Sequence, residues 1–376
     1  MTFSPLALAE RVVRAANREH PADAVLRQEL KSRGRLAPGE ASRVSAAVFA
    51  YYRWRSWLNE DRPVQQQIQR ASELSARFSK EPLSFADKEL MAGAVPTWVH
   101  QEIQISASWI RALQREPVLW LRARPGQGSA LAKQLPGSSS FDSGPLADIL
   151  RYNGQIDLFR TKEFHGGEFE LQDLSSQAVG LACAPQAGQT WWDACAGEGG
   201  KTLHLSDLMQ NKGLIWASDR AVWRLKLLKR RAARAGVFNY RTIEWNGGTH
   251  LPTKTRFDGV LVDAPCSGTG TWQRNPHARW TASLSDLHEL SNIQKQLLLN
   301  VAQSVKPGGK LIYAVCTLAR SETLDVVKEF ERACPDFQRA QFRNPLAPQA
   351  NPEPQIYLWP QQFESNGMFI AAWRRR

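Results

Sequence analysis

The stretch at 257–270 reads F-D-G-V-L-V-D-A-P-C-S-G-T-G and constrains the fold more than any other part of the chain. Its apolar run at 260–262 ends at Asp263, and a turn rich in small residues follows at 267–270. This pattern is typical of a parallel strand that is buried on both faces. Because ligands of open α/β sheets bind beyond the carboxyl ends of the strands, Asp263 and Cys266 are predicted to face a crevice.

Strand and helix patterns alternate on both sides of this stretch, which predicts an α/β fold with a doubly wound sheet. Further strands are predicted at 190–193, 214–217, 241–245 and 310–315, with two more candidates at 357–359 and 368–373. Helices are predicted from about 201 to 210, at 221–235, at 285–305 and at 321–333. These elements make up a predicted domain at 172–376.

The chain before this domain changes its pattern near Pro117. Residues 1–115 are predicted to be helical, with helices that begin near Pro5 and lie at 23–33, 40–58, 87–91 and 97–114. Residues 116–171 are predicted to form a small α+β module, with strands at 118–124, 156–160 and 169–171 and a helix at 129–135. Three domains are therefore expected.

Basic and aromatic residues alternate within the third of these helices, where Arg53 and Arg55 stand beside Tyr51, Tyr52, Trp54 and Trp57. Such a cluster could stack nucleobases and hold phosphate. Aromatic stripes at helical spacing are more often part of a core, so packing is the favoured interpretation.

Charge and cysteine content restrict the class of protein. Lys plus Arg number 48 against 36 for Asp plus Glu, a net charge of +12, which favours a polyanionic partner. No run of 18 apolar residues and no secretory signal is evident, so no membrane association is expected. The five cysteines are scattered without a Cys-x-x-Cys pair. We therefore expect neither a metal site nor disulfides, and a reducing cytoplasm as the location.

A glycine-rich turn at 193–202, D-A-C-A-G-E-G-G-K-T, follows the first predicted strand of the sheet. Glycines at this position let backbone amides approach a ligand at a helix N-terminus. A Walker A loop is disfavoured because Cys195 stands where that motif needs glycine, and the dinucleotide pattern fails at Thr202. Asp219, at the end of the next strand, is placed to accept hydrogen bonds from ribose hydroxyls or to cap the following helix.

Asp263-Ala264-Pro265-Cys266-Ser267-Gly268 resembles the signature of the RsmB/Nop/Sun family of RNA cytosine-5 methyltransferases. The turn at 193–202, Val315-Cys316-Thr317 and the loop at 274–280 also resemble motifs of this family. The resemblance implies a Rossmann-like class I methyltransferase sheet that binds S-adenosyl-L-methionine. It also implies an all-helical, NusB-like region and an RRM-like module before that sheet.

The resemblance implies roles for three residues in methylation of cytosine at carbon 5. The Cys316 thiolate would add to carbon 6 of the base, because carbon 5 is otherwise too weak a nucleophile. Cys266 would assist proton removal and product release, and Asp263 would hydrogen-bond or protonate ring nitrogen 3, which requires a carboxyl kept partly neutral by burial. Cys183, Cys195 and Cys334 are interpreted as structural.

The same resemblance implies further binding residues. Those expected around the cofactor are Cys195, Ala196, Gly197, Glu198, Gly199, Gly200, Lys201, Asp219, Asn246 and Asp263, and those expected to contact RNA are Arg274, His277 and Arg279. Glu198 stands where the family has proline, and either meets the charged end of the cofactor or faces water. Asn246 stands where the family has an aspartate near the adenine. The basic helix at 224–234 is expected to be a solvated face.

Several functions remain open at this point. Ribosomal RNA is the first expected substrate and transfer RNA the second, with the cytosine unpaired or flipped out. A DNA methyltransferase would instead use Cys266 as nucleophile. A non-catalytic, RNA-binding assembly factor without cofactor affinity is the third possibility, and Glu198 and Asn246 are the residues that suggest it.

Overall fold

The computed structural model describes residues 4–33, 39–141 and 144–376. Among the described residues up to 114, the regular elements are helices. They are α1 (Pro5–Ala15), α2 (Ala22–Ser32), α3 (Glu40–Arg53), α4 (Val64–Lys80), α5 (Asp87–Gly93), α6 (Val99–Glu102) and α7 (Ala107–Gln114). Ser4 caps α1, because its side chain accepts a hydrogen bond from the Ala7 amide. The helical prediction for this region is confirmed.

Two details of the helical region differ from the predictions. Helix α4 was not predicted, although its buried residues Ile68, Ala71, Leu74 and Phe78 have helical spacing. The single helix predicted at 97–114 is wrong, because the chain is extended at Ile103 before the Ser106 side chain caps α7.

The small module that follows consists of β1 (Leu119–Ala123), α8 (Gly128–Gln134), β2 (Ser138–Ser140), β3 (Ile149–Tyr152), α9 (Lys162–His165) and β4 (Phe169–Leu171). Its strands are antiparallel in the order β2-β3-β1-β4, which is a split βαβ arrangement. The strand predicted at 156–160 is wrong, because the pairing strand is β3 and a short 3₁₀ turn lies at Leu158–Arg160. The likeness of these two regions to NusB and to an RRM stays a prediction.

The rest of the chain is α10 (Leu174–Cys183), β5 (Thr190–Asp193), α11 (Gly200–Leu208), β6 (Leu214–Asp219), α12 (Val222–Arg234), β7 (Tyr240–Glu244), β8 (Phe257–Asp263), α13 (Ala278–Thr281), α14 (Leu284–Ala302), β9 (Val305–Val315), α15 (Leu324–Ala333), β10 (Phe337–Arg339), β11 (Gln355–Leu358), α16 (Pro360–Phe363) and β12 (Met368–Arg375). The predicted alternation of strand and helix is therefore confirmed. Strand β10 and the helices α10, α13 and α16 were not predicted.

The large sheet has the order β10-β12-β9-β8-β5-β6-β7, and β11 pairs with β12. Strands β5 to β9 are parallel, and β12 runs antiparallel to β9. The chain winds outward in both directions from the neighbouring strands β5 and β8, which creates a topological switch point at their carboxyl ends. A ligand crevice is expected at that point.

Both faces of this sheet are buried, as the continuous apolar run at 260–262 predicts. Val260 and Val262 pack on one face with α14 and α15, whereas Leu261 packs on the other with α10 and α11. Alternate residues of β8 thus anchor two separate cores, and this fixes its register and the position of Asp263 at its end.

The contacts divide the chain into two compact units, and the division is not the predicted one. Residues 118–267 and 287–376 form one unit, which contains both sheets. Residues 1–117 form the other together with 268–286, a segment that begins two residues after Cys266. Within the described ranges, no helix is both long and apolar enough to cross a membrane.

Candidate active site

Two cysteines from two neighbouring strands meet at the carboxyl edge of the large sheet. Cys266 follows β8 and Cys316 follows β9, and their Sγ atoms lie 3.4 Å apart, within sulfur hydrogen-bond distance. This separation is well beyond a disulfide length of about 2.05 Å. The hydrogen bond from Cys266 lowers the pKa of Cys316, and Lys201 also lowers it, whereas burial and Asp263 raise it. The net downward shift favours the reactive thiolate at Cys316.

An ion pair lies beside these thiols. The Nζ atom of Lys201, in the first turn of α11, is 2.7 Å from Oδ2 of Asp263 at the end of β8. Burial lowers the pKa of Lys201, but the charge of Asp263 and its hydrogen bond raise it, and the net shift is upward. The Asp263 carboxyl is less buried than predicted, because 29% of its side chain is exposed, and it faces the Lys201 ammonium group.

A buried carboxylate, Glu322, connects the two cysteine-bearing loops. It accepts hydrogen bonds from the amide and hydroxyl of Ser267, which follows Cys266, and from the hydroxyl of Thr317, which follows Cys316. The amide of Gln294 on α14 donates to Glu322 and also to the carbonyl of Pro265. Burial raises the pKa of Glu322, and these donors oppose the shift.

The glycine-rich turn between β5 and α11 has the geometry of a ligand-binding loop. Gly197 and Gly199 both have positive φ, +55° and +84°, which β-carbon-bearing residues adopt only with strain. The Gly197 amide donates to Oδ2 of Asp219, and the Ala221 amide donates to its Oδ1. Asp219 therefore fixes the turn before α12, but it does not cap this helix, because the N-cap residue is Ala221 and no side chain bonds to the amides of the first turn. Cys195 and Ala196 are mostly buried, and Gly200 begins α11.

Sequence reasoning missed Asp193, the last residue of β5. It is 1% exposed, its Oδ2 accepts a 2.7 Å hydrogen bond from Thr202, and its Oδ1 has no hydrogen-bond partner among the described residues. Burial raises its pKa to about 7, and the neighbouring Asp263 adds to the shift. The available signal was its position: like Asp219 and Asp263, it is an acid at the end of a parallel strand.

The two residues that depart from the family pattern face solvent. Glu198 is exposed, and its backbone carbonyl accepts a hydrogen bond from Arg231. Asn246 is also exposed, and its Oδ1 accepts a hydrogen bond from the Gly248 amide, so it stabilises a turn after β7.

The prediction that Arg279 contacts RNA is wrong for this structure. Arg279 is fully buried in the helical unit, where its guanidinium donates to the carbonyls of Ala94 and Leu113, and burial lowers its pKa to about 9. His277 is also buried and meets the ring of Tyr52 edge to face. Both side chains therefore pack within the helical unit. Arg274, which precedes them in sequence, is half-buried.

The strand order, the switch point and the glycine-rich turn together define a Rossmann-like fold with a ligand-binding loop at its switch point. A family model described as 16S rRNA methyltransferase RsmB/F matches residues 180–374, which is more than half of the chain. The chain belongs to this family, which confirms the resemblance noted from its motifs.

Known proteins show the extent of the similarity. A probable ribosomal RNA small subunit methyltransferase B of Bacillus subtilis (strain 168) is 34% identical, covering 57% of this chain and 50% of that protein. A 28S rRNA (cytosine-C(5))-methyltransferase of Mus musculus is 32% identical, covering 60% of this chain and 30% of that protein. NSun6 from Pyrococcus horikoshii, solved with SFG, has a similar fold, with a TM-score of 0.61 and 20% identity, over 71% of this chain and 93% of that one. The chain spans about half the length of the bacterial relatives it matches.

Proposed function

We propose that this chain transfers a methyl group from S-adenosyl-L-methionine to carbon 5 of a cytidine in RNA, with ribosomal RNA as the favoured substrate. The observation that carries the proposal is the meeting of two thiols, 3.4 Å apart, beside the Lys201–Asp263 ion pair at the switch point of the sheet. One cysteine can then be bound to the base while the other remains available.

Cys316 is the proposed nucleophile. Its thiolate forms a bond to carbon 6 of cytosine, and the electron pair displaced from the 5,6 double bond makes carbon 5 nucleophilic. After methylation, loss of the carbon-5 proton to a base and cleavage of the sulfur–carbon bond restore the aromatic ring and release Cys316. Cys266 is the proposed partner for this release, because its Sγ is the neighbour of Cys316.

Lys201 and Asp263 are proposed to balance charge on the base. Addition at carbon 6 increases electron density at ring nitrogen 3, so a proton donor is needed there. The Lys201 ammonium, 2.7 Å from Oδ2 of Asp263, places a positively charged hydrogen-bond donor beside the cysteines. The role assigned to Asp263 is thus carried out through the pair rather than through burial alone.

The residues around the glycine-rich turn fit adenosylmethionine, which supplies an electrophilic methyl group when bound. The buried Oδ1 of Asp193, which has no hydrogen-bond partner among the residues that the structure describes, can accept a hydrogen bond from the cationic amino group of its methionine part. Asp219 is at the strand end where ribose hydroxyls are commonly bound. The similarly folded NSun6 was solved with SFG, an analogue of adenosylmethionine, and this supports the same cofactor for the present chain.

The substrate is proposed from the relatives' names and from charge. The relatives are described as ribosomal RNA methyltransferases, and the mouse protein as specific for cytosine carbon 5. A net charge of +12 suits a phosphate backbone. Transfer RNA is the second candidate, and bisulfite sequencing of total RNA from cells with and without the protein distinguishes the two.

Replacement of each cysteine by serine tests the chemistry. Cys316→Ser is expected to abolish both methyl transfer and the covalent RNA adduct on a denaturing gel. Cys266→Ser is expected to trap the adduct, because addition still occurs but release is slowed.

The reverse pattern, with the adduct lost in Cys266→Ser, would contradict the proposal and indicate the DNA-methyltransferase arrangement. Calorimetry of the wild-type chain with adenosylmethionine provides an independent check. No detectable binding would favour a non-catalytic assembly factor.

A further inference from the structure

A second candidate site lies wholly within the helical unit. It is a cavity of about 440 Å³ lined by Arg55, Ser56, Glu60, Pro96, Trp98, Trp280 and Ala282. Its volume falls within the usual range of small-molecule sites, about 300–1,000 Å³. Two indoles, a guanidinium, a hydroxyl and a carboxylate thus share one cavity.

The indoles are held in place but are not fully covered. Trp280 is half-buried, and its Nε1 donates a 2.6 Å hydrogen bond to the Tyr52 carbonyl. Trp98 is also half-buried, and it meets the buried Trp272 edge to face, with ring centroids 6.0 Å apart. Rigid aromatic side chains that keep part of a face accessible are suited to stacking a planar ligand, because little side-chain entropy is lost on binding.

The charged groups of the cavity are available. Arg55 is exposed, with its guanidinium carbon 6.0 Å from the Trp280 ring centroid. Glu60 is also exposed, and within the described ranges neither Arg55 nor Glu60 takes part in an ion pair. This differs from Arg53, two positions earlier, which is buried. The predicted basic and aromatic cluster is therefore divided into a packed part and an accessible part.

We propose that this cavity binds a single-stranded nucleotide of the RNA substrate. The indoles of Trp98 and Trp280 stack the base, Arg55 holds a phosphate, and the Glu60 carboxylate accepts from an exocyclic amino group of the base. A duplex base has no accessible face for such stacking.

Two residues that line the cavity come from the segment that follows the Cys266 loop in sequence. Trp280 and Ala282 belong to the segment 268–286, which begins two residues after Cys266. The inference rests on the proposed RNA substrate, but it concerns binding and not methyl transfer. Its test therefore uses cofactor-free protein, so that failure of the chemistry and failure of this site are distinguishable.

The test measures the affinity of the full chain for a fluorescein-labelled RNA 12-mer by fluorescence anisotropy, with single-stranded and duplex probes. Arg55→Glu is expected to weaken single-strand binding about tenfold, because a phosphate contact is lost. Trp98→Phe is expected to weaken it about threefold, because stacking of the base is weakened. Arg55→Ala should also lower the slope of log affinity against log salt by about 0.7. Duplex binding should change much less.

Arg70→Glu is the matched control, because Arg70 is also an exposed arginine of the helical unit but does not line the cavity. It should alter affinity less than about threefold, as a general charge effect. Ultraviolet cross-linking should place nucleotides on the peptides that contain Trp98 or Trp280. Equal affinity for wild type, Arg55→Glu and Trp98→Phe, or cross-links only elsewhere, would overturn the proposal.

Discussion

At the scale of single residues, Glu322 determines how the two cysteines meet. Its two carboxylate oxygens bond to residues that directly follow Cys266 and Cys316, so one side chain sets the relative position of two loops. The sulfurs of the two cysteines that precede these residues lie 3.4 Å apart. Glu322 is therefore a positioning residue for the proposed chemistry.

We expect Glu322→Gln to lower methyl transfer by about 10–100-fold with little change in KM, because small displacements of reacting groups are costly. In the glutamine variant, an amide nitrogen replaces a carboxylate oxygen that accepts hydrogen bonds either from two N–H groups or from two hydroxyls. Because this nitrogen donates and does not accept, the hydrogen bonds to that atom must rearrange. Rates of Cys316 alkylation against pH give a readout that is independent of turnover. Glu289→Gln, at an exposed position of α14, is the control, and equal effects of the two changes would refute this role.

Asp193 gives a pH dependence of stability in cofactor-free protein. Its pKa is raised to about 7 by burial, from a value near 3.8 in the unfolded chain. The folded state therefore binds the proton more tightly, so the associated stability is present below about pH 4 and is lost as pH rises towards 7. Asp193→Asn should remove this pH-dependent loss of folding stability, which is about 4 kcal/mol at most. Urea unfolding at pH 5 and pH 8 measures it, and an unchanged pH dependence in the variant would contradict the prediction.

At the scale of elements, the turn into α11 requires glycine for two reasons. Gly199 has φ +84°, and a β-carbon there would lie 2.5 Å from Cγ of Leu228 on α12. The turn that positions Lys201 is thus packed directly against a neighbouring helix.

Gly199→Ala is expected to destabilise the protein by about 2–4 kcal/mol, through backbone strain and overpacking together. Gly188→Ala separates the two causes, because Gly188 has φ +89° but nothing within 4 Å of the added carbon. It should cost only about 1–2 kcal/mol. Urea denaturation measures both, and equal losses would show that the contact with Leu228 is unimportant.

At the scale of the whole molecule, the helical unit is discontinuous in sequence. Trp272 and Arg279 from the segment 268–286 are fully buried in it, and Arg279 bonds to the carbonyls of Ala94 and Leu113. The first 117 residues alone would expose this surface and leave those carbonyls without their donor.

We therefore expect residues 1–117, expressed alone, to lack a cooperative thermal transition by circular dichroism. Fusion of residues 268–286 through a flexible linker should restore it, because the missing core residues return. A fusion that carries Arg279→Ala should be less stable than the intact one. Cooperative unfolding of 1–117 without the segment would contradict this view of the unit.

The sequence by itself determined the alternation of strands and helices from 190 to 333, the glycine-rich turn and the cysteine motifs. These depend on short-range patterns: apolar runs, glycine at turns and a polar residue at each strand end. The family followed from the same motifs.

Only the tertiary structure decided which charged residues are buried and what they bond. Arg279 and Glu322 are ordinary polar residues in the sequence, but each is fully buried, and their partners include Leu113 and Ser267, 166 and 55 positions away. A buried charge is stabilised by hydrogen-bond donors and acceptors that come from distant parts of the chain. Because these partners are brought together only by tertiary packing, local sequence patterns do not predict them.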